Sequence, residues 1–149
     1  ADQIPHLQVR GARLTVIAGT AYGATSPVRV ASETLYVEAD LVAGASLTVP
    51  ENADELAVYV VDGELDLAGQ GVPAGTMAVL SQDRSVDFHA RSDCKLMILG
   101  GATLPGERIV WWNFVSSRRD RIRQAKVDWR EGRFATVPGE SDFIPLPAL

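Results

Sequence analysis

The sequence predicts an all-β barrel or sandwich, followed by one C-terminal α-helix and an extended proline-bearing tail. Three observations predict it. Between residues 12 and 99, short runs rich in β-branched and aromatic residues alternate with turn residues at fairly even spacing, as in sheet-on-sheet and closed β-architectures. After Gly100-Gly101 the period changes, with Ile122, Ala125 and Trp129 at helical intervals. The end of the chain carries Pro138, Pro145 and Pro147, which have no backbone N–H to give to a ladder.

The elements follow in order. Residues 1–11 read as a linker-like segment without strong periodicity. Ala12-Arg-Leu-Thr-Val-Ile-Ala-Gly19 is a strand ended by glycine. Thr34 to Leu41 alternates, with Leu35, Val37, Ala39 and Leu41 on one face and Thr34, Tyr36, Glu38 and Asp40 on the other. Glu55–Val61 and Glu64–Leu67 flank Asp62-Gly63, a dipeptide that predicts a hairpin because both residues tolerate positive φ. Pro73-Ala-Gly75 is a turn into Thr76–Leu80, and Ser85–Ala90 and Cys94–Leu99 complete the strands. Residues 12–110 are thus expected to form the barrel. Residues 111–149 are expected to pack on it as an aromatic segment, a helix and a tail. Ser117 with Asp120 resembles a capping box at the helix start, and Gly132 suits its end.

Composition excludes several function classes. The 149 residues are 46% hydrophobic and 22% charged, which is globular rather than disordered. No apolar run reaches the roughly 20 residues of a membrane helix. A net charge of −5 argues against whole-protein attraction to nucleic acid or membrane. One cysteine, Cys94, and two histidines, His6 and His89, exclude multi-cysteine and most histidine-based metal sites. The N-terminal residues carry no basic-then-apolar leader pattern, so a cytoplasmic location is expected.

Several pieces together resemble one family. Trp112-Asn-Phe-Val-Ser-Ser117, Ile122 to Trp129, Gly132-Arg-Phe134, Val137-Pro-Gly139 and Phe143-Ile-Pro-Leu-Pro147 resemble the C-terminal end of pirins. Val16-Ile-Ala-Gly19, Tyr22-Gly23 and Ser26-Pro27-Val28 resemble the opening of the family's second domain. The resemblance spans nearly the whole chain and implies a cupin-type jelly-roll barrel. It further implies a longer parent with two cupins in tandem. In such a parent the N-terminal cupin holds a metal, usually iron, through three histidines and a glutamate. Some members show quercetin 2,3-dioxygenase activity, and some act as transcription cofactors.

The cupin metal motif can be tested on these residues. Aligned on Asp62-Gly63, its two histidine positions fall on Val49 and Glu51, or on Pro50 and Asn52 in the next register. Its glutamate falls on Glu55, and its last histidine falls on Ala78. One carboxylate of four ligands is too little donor chemistry for iron or zinc. No catalytic residue, metal ligand or cofactor is therefore assigned to this chain, and iron or another divalent metal is expected only in the preceding cupin.

Two residue sets remain as candidate sites. Glu51, Glu55 and Tyr59 share strand parity, which would aim them into the barrel mouth as a small polar pocket. They could equally form a solvated rim. Trp111, Trp112, Arg118 and Arg119 are the candidate domain or partner interface. The basic run from Arg118 to Lys126 could also be the solvated side of the helix, and the aromatics a cluster that docks it. The partner expected from the resemblance is the N-terminal cupin, or a second copy in its absence. The alternatives are a stand-alone small-molecule-binding cupin and a protein-interaction module. His89 reads as an ordinary strand histidine, and Cys94 as a buried, unreactive thiol.

Overall fold

The computed structural model describes residues 3–50, 53–81 and 87–147. Fourteen strands and one helix follow one another along them. The strands are β1 (His6–Val9), β2 (Ala12–Ala18), β3 (Thr20–Ala21), β4 (Ala24–Thr25), β5 (Thr34–Leu41), β6 (Ser46–Thr48) and β7 (Glu55–Asp62). Next come β8 (Glu64–Leu67), β9 (Gln70–Pro73), β10 (Met77–Leu80), β11 (Asp87–Ala90), β12 (Cys94–Gly101), β13 (Ile109–Trp111) and β14 (Phe114–Ser116). Helix α1 is Arg119–Arg130. The chain divides into two compact units, residues 1–103 and 104–149.

The first unit is a two-sheet jelly-roll. A six-stranded sheet runs β1-β2-β5-β12-β7-β10, and a four-stranded sheet runs β6-β11-β8-β9. Alternation decides the inner face. Leu35, Val37, Ala39 and Leu41 of β5 are buried as their parity predicted. Val58 and Val60 of β7, Leu96 and Ile98 of β12, and Phe88 of β11 are each 0% exposed and join the same core cluster. Burying a Val, Leu, Ile or Phe side chain in this way stabilises the fold by about 1.5–3 kcal/mol each.

Two sequence expectations are corrected here. Asp62-Gly63 is not a hairpin. Strand β7 belongs to the six-stranded sheet and β8 to the four-stranded one, so the dipeptide is the corner between the sheets. Gly63 sits at φ 80°, and a Cβ there would come within 2.2 Å of Asp93 O and 2.8 Å of Cys94 Cα, so no other residue fits. The hairpin is one step later, β8 to β9, through Ala68 (φ 50°) and Gly69 (φ 87°), both positive as a type I′ turn demands. The segment read as linker-like contributes β1, which pairs with β2 from His6↔Thr15 to Val9↔Ala12 and forms an edge of the large sheet.

The second unit is built from the β13–β14 hairpin, α1 and the tail. Trp112 stands at the turn with φ 50°. The helix start differs from expectation. Arg118, not Ser117, is the N-cap residue and its side chain makes no capping bond. The Arg118 N–H instead donates to Ser116 Oγ at 3.1 Å, and Asp120 pairs with the Arg118 guanidinium. The helix end follows the glycine rule. Gly132 (φ 66°) donates to Trp129 O and Arg133 donates to Asp128 O, a Schellman closure. The tail has no regular secondary structure. It is fixed to the helix by Trp129 Nε1 donating to Ile144 O at 2.8 Å and by Phe143 stacked on Trp129.

Candidate functional site

Of the positions aligned with the cupin metal motif, Val49 and Ala78 are apolar. Ala78 faces inward opposite Val58. Val49, Leu56, Ala78 and Leu80 all pack against the hydrophobic core. Tyr22 joins them and donates its hydroxyl to Thr48 O at 3.0 Å, and burial raises its pKa. Among the described residues, no group of three or more His, Cys, Asp and Glu side chains is placed to hold a metal ion. The described inward positions at this end, Val49, Leu56, Ala78 and Leu80, offer methyl and methylene groups rather than donor atoms.

Glu55 and Tyr59 do not enter the barrel mouth. In β7 the buried residues are Val58 and Val60, so Glu55, Ala57 and Tyr59 carry the opposite parity and lie on the outer face of the six-stranded sheet. Glu55 is exposed and Tyr59 is half-buried. Glu51 lies outside the described residues. Glu55 lines an open groove of about 620 Å³ with Ala57, Val79 and Leu99 of that face and with Glu33 and Asp54 at its end.

That face is unusual for one that meets water. Register lines up Met77, Tyr59, Met97 and Glu38 across β10, β7, β12 and β5. The next row is Val79, Ala57, Leu99 and Tyr36. Val79 is 79% exposed and Met77 is 54% exposed. The outer face of the four-stranded sheet is the reverse. It carries Ser46, Asp66, Glu64 and His89, with His89 Nδ1 against Ser46 Oγ at 3.0 Å and Arg91 paired to both Glu64 and Asp66. A sheet solvated on one face alternates, whereas strands covered on both faces run continuously apolar. Strand β12 reads Leu96-Met-Ile-Leu99 and β7 reads Leu56-Ala-Val-Tyr-Val-Val61. These runs were the available signal for the face.

The far end of the same face is ionic. Arg13 pairs with Asp40 at 2.9 Å, and Lys95 pairs with Glu38 and Asp40. Partial burial pushes the Asp40 carboxyl up, but hydrogen bonds from Arg13 and Lys95 outweigh it and hold the group below its usual range. Hydrogen bonds to Glu38 and Asp40 raise the Lys95 ammonium. Cys94, beside them in sequence, is 5% exposed, and burial raises its thiol pKa, with Asp93, Asp40 and Asp62 adding to the effect. An unreactive thiol follows.

In the second unit, Trp111 and Trp112 join Phe114, Trp129, Phe134 and Phe143 in one aromatic cluster. Trp112 meets Trp129 edge-on at 5.0 Å, Trp111 stacks on Phe114 at 6.2 Å, and Phe114 stacks on Phe134 at 5.7 Å. Lys126 Nζ lies 3.6 Å from the Trp111 ring centroid. Arg118 is occupied by Asp120, which the guanidinium holds below the usual carboxylate range. Arg119 is exposed.

The family model of the pirin C-terminal cupin domain matches residues 36–135. The chain belongs to the pirin C-terminal cupin family. A pirin-like protein of Caulobacter vibrioides is 38% identical over 146 residues, which is 97% of this chain and 50% of the relative. The chain thus spans about half the length of the curated pirin relatives it matches. Among solved structures, a quercetin 2,3-dioxygenase from Acinetobacter baumannii superposes with a TM-score of 0.87 at 24% identity, over 98% of this chain and 50% of that one. A second from the same organism gives 0.79 at 27% identity, over 91% and 49%. These matches agree with the pirin-type cupin barrel seen here.

Proposed function

We propose that this chain is the metal-free C-terminal half of a two-cupin, pirin-like protein, and that it packs against and supports a metal-bearing preceding half. The outer face of the six-stranded sheet is the contact surface in this reading. The observation that carries the proposal is the contrast between the two sides of that sheet's end. The inward positions of the metal motif are Val49 and Ala78, packed on the core. The outward rows, from Met77 to Tyr36, form an apolar surface on a chain half as long as its relatives. The quercetin 2,3-dioxygenase of Acinetobacter baumannii that is 27% identical supports a parent reaction of that class. The catalytic atoms then belong to the other half, and this chain contributes rigidity and exclusion of water at the shared face.

The test is association. The preceding half of the parent is produced separately and mixed with this chain, and the mass of the product is read by analytical ultracentrifugation. A one-to-one complex that dissociates when Val79 and Met77 are changed to serine is expected. Two halves that ignore each other, or a complex indifferent to those changes, would overturn the proposal.

A further inference from the structure

The basic run of the helix looks interrupted when read along the sequence, because Asp120 and Asp128 fall within it. The helix gathers four of its five cations on one side, while Arg121 lies with the acids on the other. At 100° per residue, Arg119, Arg123, Lys126 and Arg130 fall within about 60° of arc, in a line about 16 Å long. Asp120, Gln124 and Asp128 turn to the other side. Those acids are occupied there, Asp120 by Arg118 and Asp128 by Gln124 and Arg133.

The cations of the line are not occupied in the same way. Arg119, Arg123 and Arg130 are exposed, and no carboxylate among the described residues pairs with them. Lys126 rests over Trp111. The arrangement works against the helix that carries it. Arg119 and Arg123, and Lys126 and Arg130, are like charges four residues apart, which repel. Arg119 also stands in the first turn, where the helix dipole favours acids. Charge is divided the same way at larger scale. Residues 104–149 carry eight Lys and Arg against six Asp and Glu, while residues 1–103 carry six against thirteen.

We propose that the stripe Arg119, Arg123, Lys126 and Arg130 is a docking surface for an acidic segment of a partner protein, one that presents carboxylates at matching helical spacing. Guanidinium groups grip carboxylates through paired hydrogen bonds, and a straight row on one helix face suits a second helix laid beside it. Nucleic acid suits the surface less well. The Trp111 ring next to the stripe is already engaged by Lys126 and by Phe114 rather than open to a base, and the chain as a whole carries −5.

The experiment uses the 149-residue chain and three probes, with binding read by fluorescence anisotropy over a salt series. The first probe is an alanine-based helical peptide with glutamate at i, i+4, i+7 and i+11. The second has the same composition with its glutamates spread round the helix, and the third is a short DNA duplex. The expected result is binding of the first peptide that weakens as salt is raised. The triple variant Arg119→Gln, Arg123→Gln, Arg130→Gln should bind it at least about ten-fold more weakly. A control with Arg10→Gln and Arg29→Gln should bind as the parent does. Circular dichroism should show the triple variant as helical as the parent, since repulsion has been removed. Equal binding of the scattered peptide, tighter binding of the duplex, or no binding of any probe would each overturn the proposal.

Discussion

Replacing one valine on each side of the six-stranded sheet separates the fold from the docking surface. Val58 is 0% exposed and Val79 is 79% exposed. The two lie on adjacent paired strands, with Val58 opposite Ala78 and Val79 opposite Ala57. Val58→Ser removes a fully buried side chain, worth about 1.5–3 kcal/mol. It also leaves a hydroxyl without a partner, for about 1–3 kcal/mol more. The chain should lose about 2.5–6 kcal/mol, a large part of a domain's stability. Val79→Ser disturbs only the fifth of the side chain that is in contact, so it should cost the isolated chain about 0.3–0.6 kcal/mol. Covering the remaining surface on association would recover about 1–2 kcal/mol, so the same change should weaken binding to the preceding half roughly ten-fold. Urea titration followed by far-ultraviolet circular dichroism gives the first pair of values, and calorimetric titration with the preceding half gives the last. Equal destabilisation by the two serines would refute the assignment of faces. A Val79→Ser chain that binds as the parent does would refute the docking surface.

Further outcomes follow from single residues. Gly63→Ala should cost about 3 kcal/mol or more, from the left-handed conformation and a clash with fixed backbone, and should lower Tm by roughly 8 °C; a neutral result would mean the corner between the sheets is misassigned. Asp40 has its folded pKa lowered by Arg13 and Lys95, so its contribution is complete above the unfolded value of about 3.9 and is lost as pH falls through the lower folded value. The urea midpoint of Asp40→Asn should therefore lie below the parent's at neutral pH and converge with it in strong acid, and a difference that grows on acidification would contradict the ion cluster. Cys94 should react with a thiol reagent slowly in the folded chain and rapidly in urea, whereas equal rates would mean that it is not buried.

How much of this was legible in the sequence depends on how cleanly each strand alternates. Strand β5 has one polar and one apolar side, so its boundaries and its buried face both followed from Leu35 to Leu41. Strand β7 is apolar at both parities, so nothing in Leu56 to Val61 said which side faced the core, and Glu55 and Tyr59 were placed on the wrong one. The two-faced run was itself the information, since it puts apolar side chains on the outward face as well as in the core. Asp62-Gly63 has the composition of a hairpin, but composition reports positive φ and not which strands pair. The actual hairpin uses Ala68, a residue with no turn preference, held left-handed by the register of β8 and β9. Strand β1 was invisible because an edge strand of four residues needs little periodicity. The line of four cations on α1 needed only the helical period, and the interleaving of Asp120, Arg121 and Asp128 concealed it.

The central claim is that this half holds no metal of its own and supports a half that does. Metal content by mass spectrometry tests it most directly. The chain alone, and its complex with the preceding half, are incubated with iron, nickel, zinc and manganese and then freed of loose ions. The account predicts no stoichiometric metal in the chain and one ion in each complex. One tightly held ion in the chain alone would contradict it.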